Sequence, residues 1–155
     1  TLTNVKGYAA DVRSEKSIAK AVAKLTYAFA NANVPKVNVI TGEAYGSAYV
    51  TMNSKALGAD VTYAWPDASI GMMDANEAAK IMYADDIAKS ADVQSVISEK
   101  AAEYAALQSG VESAAARGYV DTIINPEDTR KYVAAAFEML YTKREDRPDK
   151  KHGTV

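Results

Sequence analysis

The sequence predicts a single α/β domain built on a parallel sheet. The chain has 155 residues, which suits one domain with a substantial core. Short β-branched runs alternate with longer helical patterns, and strands separated by helices predict parallel pairing with right-handed crossovers. Alanine, the best helix former, is concentrated in the helical windows, which favours helices packed closely on a modest sheet. A doubly wound domain and a ββα spiral share this alternation, so periodicity leaves the topology open.

The first two predicted strands flank a helix. Residues 2–5 and 36–41 are short apolar runs typical of strands. Asp11 or Ser14 can cap a helix that continues to about residue 32. Its apolar residues recur at helical spacing and are expected on one face: Ile18, Ala21, Val22, Leu25 and Phe29.

A turn of small residues, Gly46-Ser47-Ala48, follows the second strand and leads into a helical pattern that should end at Gly58. Strands are then expected at 60–64 and 69–73. The first N–H groups of a helix lack internal acceptors and carry the positive end of its dipole, so this turn can hold an oxyanion. Acyl-transfer and enolate chemistry requires such a site.

Helical patterns dominate the second half of the chain. One covers 76–108, with a break near 90–92, and a short helix and a strand at 120–124 follow. Asn125-Pro126-Glu127-Asp128 signals the start of a final helix, which should extend to about residue 143. Its inward residues are expected to be Val133, Phe137 and Leu140. We therefore expect one domain over 1–143 and a charged tail over 144–155 that is mobile or held by a partner.

A series of motifs between residues 34 and 66 resembles a known family. The matching segments are Val34-Pro35-Lys36, Ala44-Tyr45-Gly46-Ser47-Ala48-Tyr49, Met52, Ser54-Lys55, Leu57-Gly58-Ala59-Asp60 and Ala64-Trp65-Pro66. They are similar to the carboxyltransferase subunits of biotin-dependent acyl-CoA carboxylases and the α subunits of acyl-CoA decarboxylases, as in propionyl-CoA carboxylase β chains. The resemblance continues to residues 151–153 and corresponds to about the last third of such a subunit.

This resemblance implies a fold and a reaction. The fold would be the C-terminal portion of a carboxyltransferase domain, a crotonase-like ββα spiral. The reaction would be carboxyl transfer between carboxybiotin and the α-carbon of a short acyl-CoA of the acetyl, propionyl or methylmalonyl type. Carried over to this chain, the amides of Ser47 and Ala48 would form the oxyanion hole on the biotin side, with Gly46 allowing close approach. Tyr45, Tyr49 and Val50 would line the biotin or acyl pocket.

Other interpretations of the same residues remain open. The small-residue turn can simply permit close strand–helix packing, and the two tyrosines can be ordinary core residues. The chain can be a non-catalytic assembly fragment of this fold, or a crotonase-like acyl-CoA enzyme that does not use biotin. A nucleophilic role for Ser47 is disfavoured, because residues 45–49 lack the G-x-S-x-G pattern and the one histidine, His152, lies in the tail.

Composition narrows the expected partners and location. The formal net charge is -2 and no basic stripe exists, so we expect no nucleic-acid partner. With no cysteine and one histidine, a metal site is not expected. No apolar run or signal-peptide pattern suggests a membrane span or secretion, which favours a cytoplasmic protein. The resemblance implies biotin carrier and biotin carboxylase partners. The resemblance further implies that a spiral of this fold beginning in mid-sheet would expose a strand edge. We therefore expect an N-terminal carboxyltransferase half, a full-length subunit or a homo-oligomer to cover that edge.

Overall fold

The computed structural model describes residues 1–146 and shows a mixed α/β fold with a five-stranded sheet. The strands are β1 (Leu2–Val5), β2 (Val37–Tyr45), β3 (Val61–Ala64), β4 (Ser69–Gly71) and β5 (Thr122–Ile123). The helices are α1 (Val12–Glu15), α2 (Ile18–Asn31), α3 (Gly46–Thr51), α4 (Ala75–Met82), α5 (Ala84–Lys89), α6 (Val93–Tyr104), α7 (Val111–Ala116) and α8 (Thr129–Met139). Short 3₁₀ turns cover Lys55–Leu57 and Pro126–Asp128, and a π-helical turn covers Ala105–Ser109.

All strand pairs of the sheet are parallel, as the alternation of strands and helices predicted. The strand order is β1-β2-β3-β5, and β4 pairs with the far end of β2. The long strand β2 is therefore central: its first half lies between β1 and β3, and its last residues lie beside β4. The carboxyl ends of β1, β2 and β4 meet at one edge of the sheet, where the small-residue turn begins.

The two faces of the sheet carry separate apolar clusters. On one face, residues of β2, β3 and β4 pack against α3 and α7: Ile40, Ala44, Tyr49, Ala64, Ala68, Ile70, Val111, Ala114 and Val120. On the other face, β2 and β3 pack against α8: Val37, Val39, Val61, Tyr63, Ile124 and Ala136. The nearly unbroken burial of β2 and β3 is typical of parallel strands covered on both faces.

Several predicted boundaries were wrong. Strand β2 continues past Gly42 to Tyr45, beyond the predicted end at residue 41. The helix after the turn ends at Thr51 rather than near residue 57, although Gly58 does end the following 3₁₀ turn in the left-handed region at φ 94°. The predicted strand at 120–124 is reduced to Thr122–Ile123. Pairing with neighbouring strands sets the two strand limits, and local sequence pattern does not record such pairing.

The two long flanking helices differ from their predicted form as well. Asp11 caps only the short helix α1, accepting from the amides of Arg13 and Ser14, and α2 begins separately after Ser17. No residue of α2 is buried, so its predicted apolar face is only partly covered. In α8 the buried residue is Ala136, whereas Phe137 is 46% exposed. Val133 and Leu140 pack against the core as expected.

A partly buried ionic contact attaches the end of the described chain to the sheet. Lys143 Nζ donates to both carboxylate oxygens of Asp60, at 2.9 and 3.0 Å, and to the Val34 carbonyl at 3.2 Å. Asp60 also accepts from the Lys36 amide at 2.7 Å. Most of the predicted tail, including His152, lies outside the described residues.

Within residues 1–146, no helix combines the length and apolar character needed to cross a membrane.

Candidate functional site

The turn after β2 has the geometry of a strand-to-helix junction that only glycine can begin. Gly46 has φ 59°, in the left-handed region, and a Cβ placed there would lie 2.9 Å from the Met72 carbonyl oxygen. Both facts strongly favour glycine at this position, because a side chain would strain the backbone and displace a neighbouring atom. Ser47, in contrast, is not among the residues with positive φ. The serine that replaces the second glycine of the resembled pattern therefore adopts ordinary backbone geometry without strain.

The first turn of α3 presents backbone donors that the helix itself cannot satisfy. In any α-helix the first N–H groups have no intrahelical acceptor, and here these belong to Gly46, Ser47 and Ala48. The Tyr45 side chain, at the capping position, forms no capping hydrogen bond. Ser47 is exposed and Gly46 is half-buried, whereas Ala48 is only 4% exposed, so the turn borders solvent at Gly46 and Ser47. This arrangement suits an acceptor oxygen that arrives from outside.

The aromatic residues predicted for the pocket point into the core. Tyr45 is 6% exposed, and its hydroxyl donates to Ser69 Oγ at 2.8 Å. Tyr49 is 7% exposed and belongs to the apolar cluster beside α7, and its hydroxyl has no hydrogen-bond partner among the described residues. Burial, with a smaller contribution from Tyr119, raises the pKa of the Tyr49 phenol. Val50 is 38% exposed. The structure thus brings Gly46, Ser47 and Val50 to the surface and turns both rings away from it.

Charged residues surround the turn at the carboxyl edge of the sheet. Lys6, just after β1, forms an ion pair with Glu43 of β2 at 3.1 Å. Asp74, just after β4, caps α4 by accepting from the Asn76 amide at 2.9 Å. Burial alone would raise the pKa of Asp74, but the hydrogen bonds from Asn76 and the charge of Lys6 hold it below its ordinary value. The acid at position 74 therefore serves as a helix cap.

The sequence analysis did not single out Asn4, whose side chain hydrogen-bonds to β2 where the pairing of β1 with β2 is irregular. Asn4 Oδ1 accepts from the Glu43 amide at 3.0 Å, in a place where the strand register is interrupted. The available signal was Gly42, because an isolated glycine inside a strand pattern often marks a bulge. The apolar run by itself predicts a strand that ends at residue 41.

A separate cleft of about 560 Å³ lies beside the start of β4 and is lined by residues 66–69, 105–106 and 109–113. None of the predicted site residues lines it. The hydrogen bond of Tyr45 to Ser69 connects this cleft to the end of β2. Between residues 1 and 146, no group of three or more His, Cys, Asp or Glu side chains is arranged to hold a metal ion.

Comparison with known proteins gives a consistent result over the whole chain. The family model described as carboxyl transferase domain matches residues 1–155. A putative propionyl-CoA carboxylase beta chain from Bacillus subtilis is 47% identical, over 100% of this chain and 31% of that relative. A biotin-dependent acetyl-/propionyl-coenzyme A carboxylase beta5 subunit from Mycobacterium tuberculosis is 40% identical, over 99% of this chain and 29% of its own length.

The solved structure of transcarboxylase 12S, described as a hexamer with methylmalonyl-coenzyme A and methylmalonic acid bound, superimposes with a TM-score of 0.92. It is 42% identical, and the match covers 98% of this chain and 29% of that chain. The crotonase-like fold predicted from the motifs is thereby confirmed. The chain spans about 30% of the length of the relatives it matches.

Proposed function

Because this chain belongs to the carboxyl transferase domain family, we propose that it supplies the biotin-side oxyanion hole for carboxyl transfer to or from a short acyl-CoA. The observation that supports this most strongly is the turn at Gly46-Ser47-Ala48. It combines a glycine in the left-handed region, a helix start with no side-chain cap, and an exposed residue, Ser47, at the carboxyl edge of the sheet.

The backbone amides of Ser47 and Ala48 are the groups that would stabilise the transition state. Carboxybiotin, held on a carrier protein, would supply the carboxyl group. The two N–H groups would donate to its ureido oxygen and stabilise the negative charge that develops there during transfer. A fixed donor of this kind contributes about 3–4 kcal/mol to a transition state, because it needs no reorganisation at the moment of reaction. Gly46 lets the reacting group approach the backbone, since no Cβ stands in front of it.

Part of the proposed pocket must come from outside this chain. The rings of Tyr45 and Tyr49 are buried, so of the three proposed pocket residues only Val50 is exposed beside the turn. We propose that residues 1–143 form part of a C-terminal carboxyltransferase domain, with 144–155 as a charged tail. The acyl-CoA side would be contributed by an N-terminal carboxyltransferase half or by another subunit of a homo-oligomer. Biotin carrier and biotin carboxylase subunits would complete the assembly.

Ser47 offers the sharpest test, because its side chain and its amide can be removed separately. We expect Ser47→Ala to change carboxyl transfer by less than about threefold, since the donor is the backbone. Ser47→Pro removes the N–H at a position in the first helical turn where proline is tolerated, and should lower kcat by about 100-fold to 1,000-fold. The assay joins this chain to the remaining part of a related carboxyltransferase subunit, hereafter the joined subunit. It measures carboxyl transfer from methylmalonyl-CoA to free biotin.

The opposite pattern would contradict the proposal. If Ser47→Ala abolished transfer, a hydroxyl role would replace the amide role. If Ser47→Pro retained full activity, the turn would serve only strand–helix packing. A joined subunit that assembles but shows no transfer even with the native sequence would favour a non-catalytic assembly role.

A further inference from the structure

The pairing of β1 with β2 contains an irregularity just before the turn. Thr3 pairs with Ile40, and the next pair is Val5 with Ala44. Between these pairs β1 contributes one residue, Asn4, whereas β2 contributes the three residues 41–43. A bulge of this kind bends the longer strand and increases its local twist, and bulges are common next to active sites.

The Asn4 side chain fills the gap that the bulge leaves. Its Oδ1 accepts from the Glu43 amide at 3.0 Å, which replaces the ladder hydrogen bond that the bulged strand cannot make with β1. A Cβ on Gly42 would lie only 2.7 Å from this oxygen and 2.9 Å from Asn4 Cγ. The φ of Gly42 is not in the left-handed region, so the requirement for glycine here comes from contact with Asn4 rather than from backbone conformation. Asn4 and Gly42 therefore form one fitted unit.

The bend has a direct consequence for the turn. From Glu43 onward β2 pairs with β4, through Glu43 with Ser69, Ala44 with Ile70 and Tyr45 with Gly71. This pairing brings Gly46 against the Met72 carbonyl and ends the strand where α3 begins. The direction in which the first amides of α3 point thus depends on how far β2 has bent over the three preceding residues.

We propose that Asn4 is a positioning residue for the turn: its amide oxygen, seated over Gly42, fixes the bulge of β2 that aims the Ser47 and Ala48 amides. This inference rests on the proposed function only for the catalytic role of those amides. Misplacement of a reacting geometry by about 1 Å can lower a rate about 100-fold, so a side chain remote from the chemistry can control it.

The test substitutes each of the two residues that form the contact. Asn4→Ala deletes the acceptor, and Gly42→Ala displaces the Asn4 side chain. Each should lower kcat of the joined subunit at least about tenfold with little change in KM. The double variant should lower kcat by no more than the more damaging single variant does, because both substitutions remove the same interaction. Asn4→Asp keeps an acceptor oxygen and should retain activity. Gly7→Ala, where a Cβ meets nothing within 4 Å, is the matched control.

A second readout separates this inference from the proposed function. In the isolated chain, Asn4→Ala and Gly42→Ala should move the amide resonances of Ser47 and Ala48, whereas Asn4→Asp and Gly7→Ala should not. Unmoved resonances, or strictly additive costs in the double variant, would overturn the positioning role. If the resonances move but neither Asn4→Ala nor Ser47→Pro affects transfer, the positioning role stands and the proposed function is wrong.

Discussion

Replacing Gly46 by alanine should lower carboxyl transfer by the joined subunit by at least about 100-fold, because both amides of the proposed oxyanion hole would be displaced. At φ 59° a non-glycine residue costs about 1–2 kcal/mol. The added Cβ would also lie 2.9 Å from the Met72 carbonyl oxygen. Met72 directly follows β4, and its backbone carbonyl cannot move aside without disturbing the end of that strand, so the turn itself must shift.

Gly118 provides a matched control for this substitution. It has φ 82°, and a Cβ there would meet nothing within 4 Å. Gly118→Ala should therefore carry a similar backbone cost, about 1–2 kcal/mol of unfolding free energy, while leaving carboxyl transfer within about twofold of the native rate. Comparing the two separates loss of stability from loss of the site. Full activity in Gly46→Ala would show that the turn geometry is not used.

Removing the Asp60 carboxylate should lower the free energy of unfolding by about 2–3 kcal/mol, because hydrogen bonds to charged groups are worth about 1.5–3 kcal/mol each. Asp60→Ala would leave the buried Lys36 amide without its carboxylate acceptor and Lys143 without its main partner. The Lys143 and Asp60 side chains are only 13% and 20% exposed. The matched control is Glu77→Ala, which breaks an ion pair with 49% and 61% exposure and should cost less than about 1 kcal/mol. Urea unfolding of each variant measures the difference.

The same carboxylate should also influence acid stability. Burial raises the pKa of Asp60, but hydrogen bonds from Lys143 and the Lys36 amide outweigh this effect and hold the pKa below its ordinary value of 3.8. A depressed folded-state pKa stabilises the fold above 3.8, and that stabilisation is lost as the pH falls through the lower folded-state value. Asp60→Ala should therefore lose less stability than the native chain on acidification below about pH 4. An identical acid dependence in the two proteins would exclude this role.

Much of the architecture could be predicted from the sequence, because its signals are local. All five strands were predicted from short apolar runs, although with different bounds, and their separation by helices predicted parallel pairing. Gly58 was recognised as a terminating glycine, and the structure places it in the left-handed region. The turn Gly46-Ser47-Ala48 could be predicted because small residues after a strand leave the following backbone N–H groups accessible.

The features that could not be predicted depend on pairing between distant segments. The end of β2 is set by β4 and by Asn4, which is 39 positions from Glu43 along the chain. The inward direction of Tyr45 depends on Ser69, which is 24 positions away. Helix α2 has a regular apolar face, yet none of its residues is buried, so periodicity indicated a face without indicating what covers it.

The account depends most directly on the backbone N–H of Ala48. Replacing Ala48 by L-lactic acid through semisynthesis exchanges that N–H for an ester oxygen and leaves the methyl side chain unchanged. We expect the joined subunit carrying this single-atom change to keep its fold and its KM for methylmalonyl-CoA. Its kcat for carboxyl transfer to biotin should fall about 100-fold to 1,000-fold, because one oxyanion donor is lost. A kcat within about threefold of the native value would contradict the assignment of these amides as the oxyanion hole.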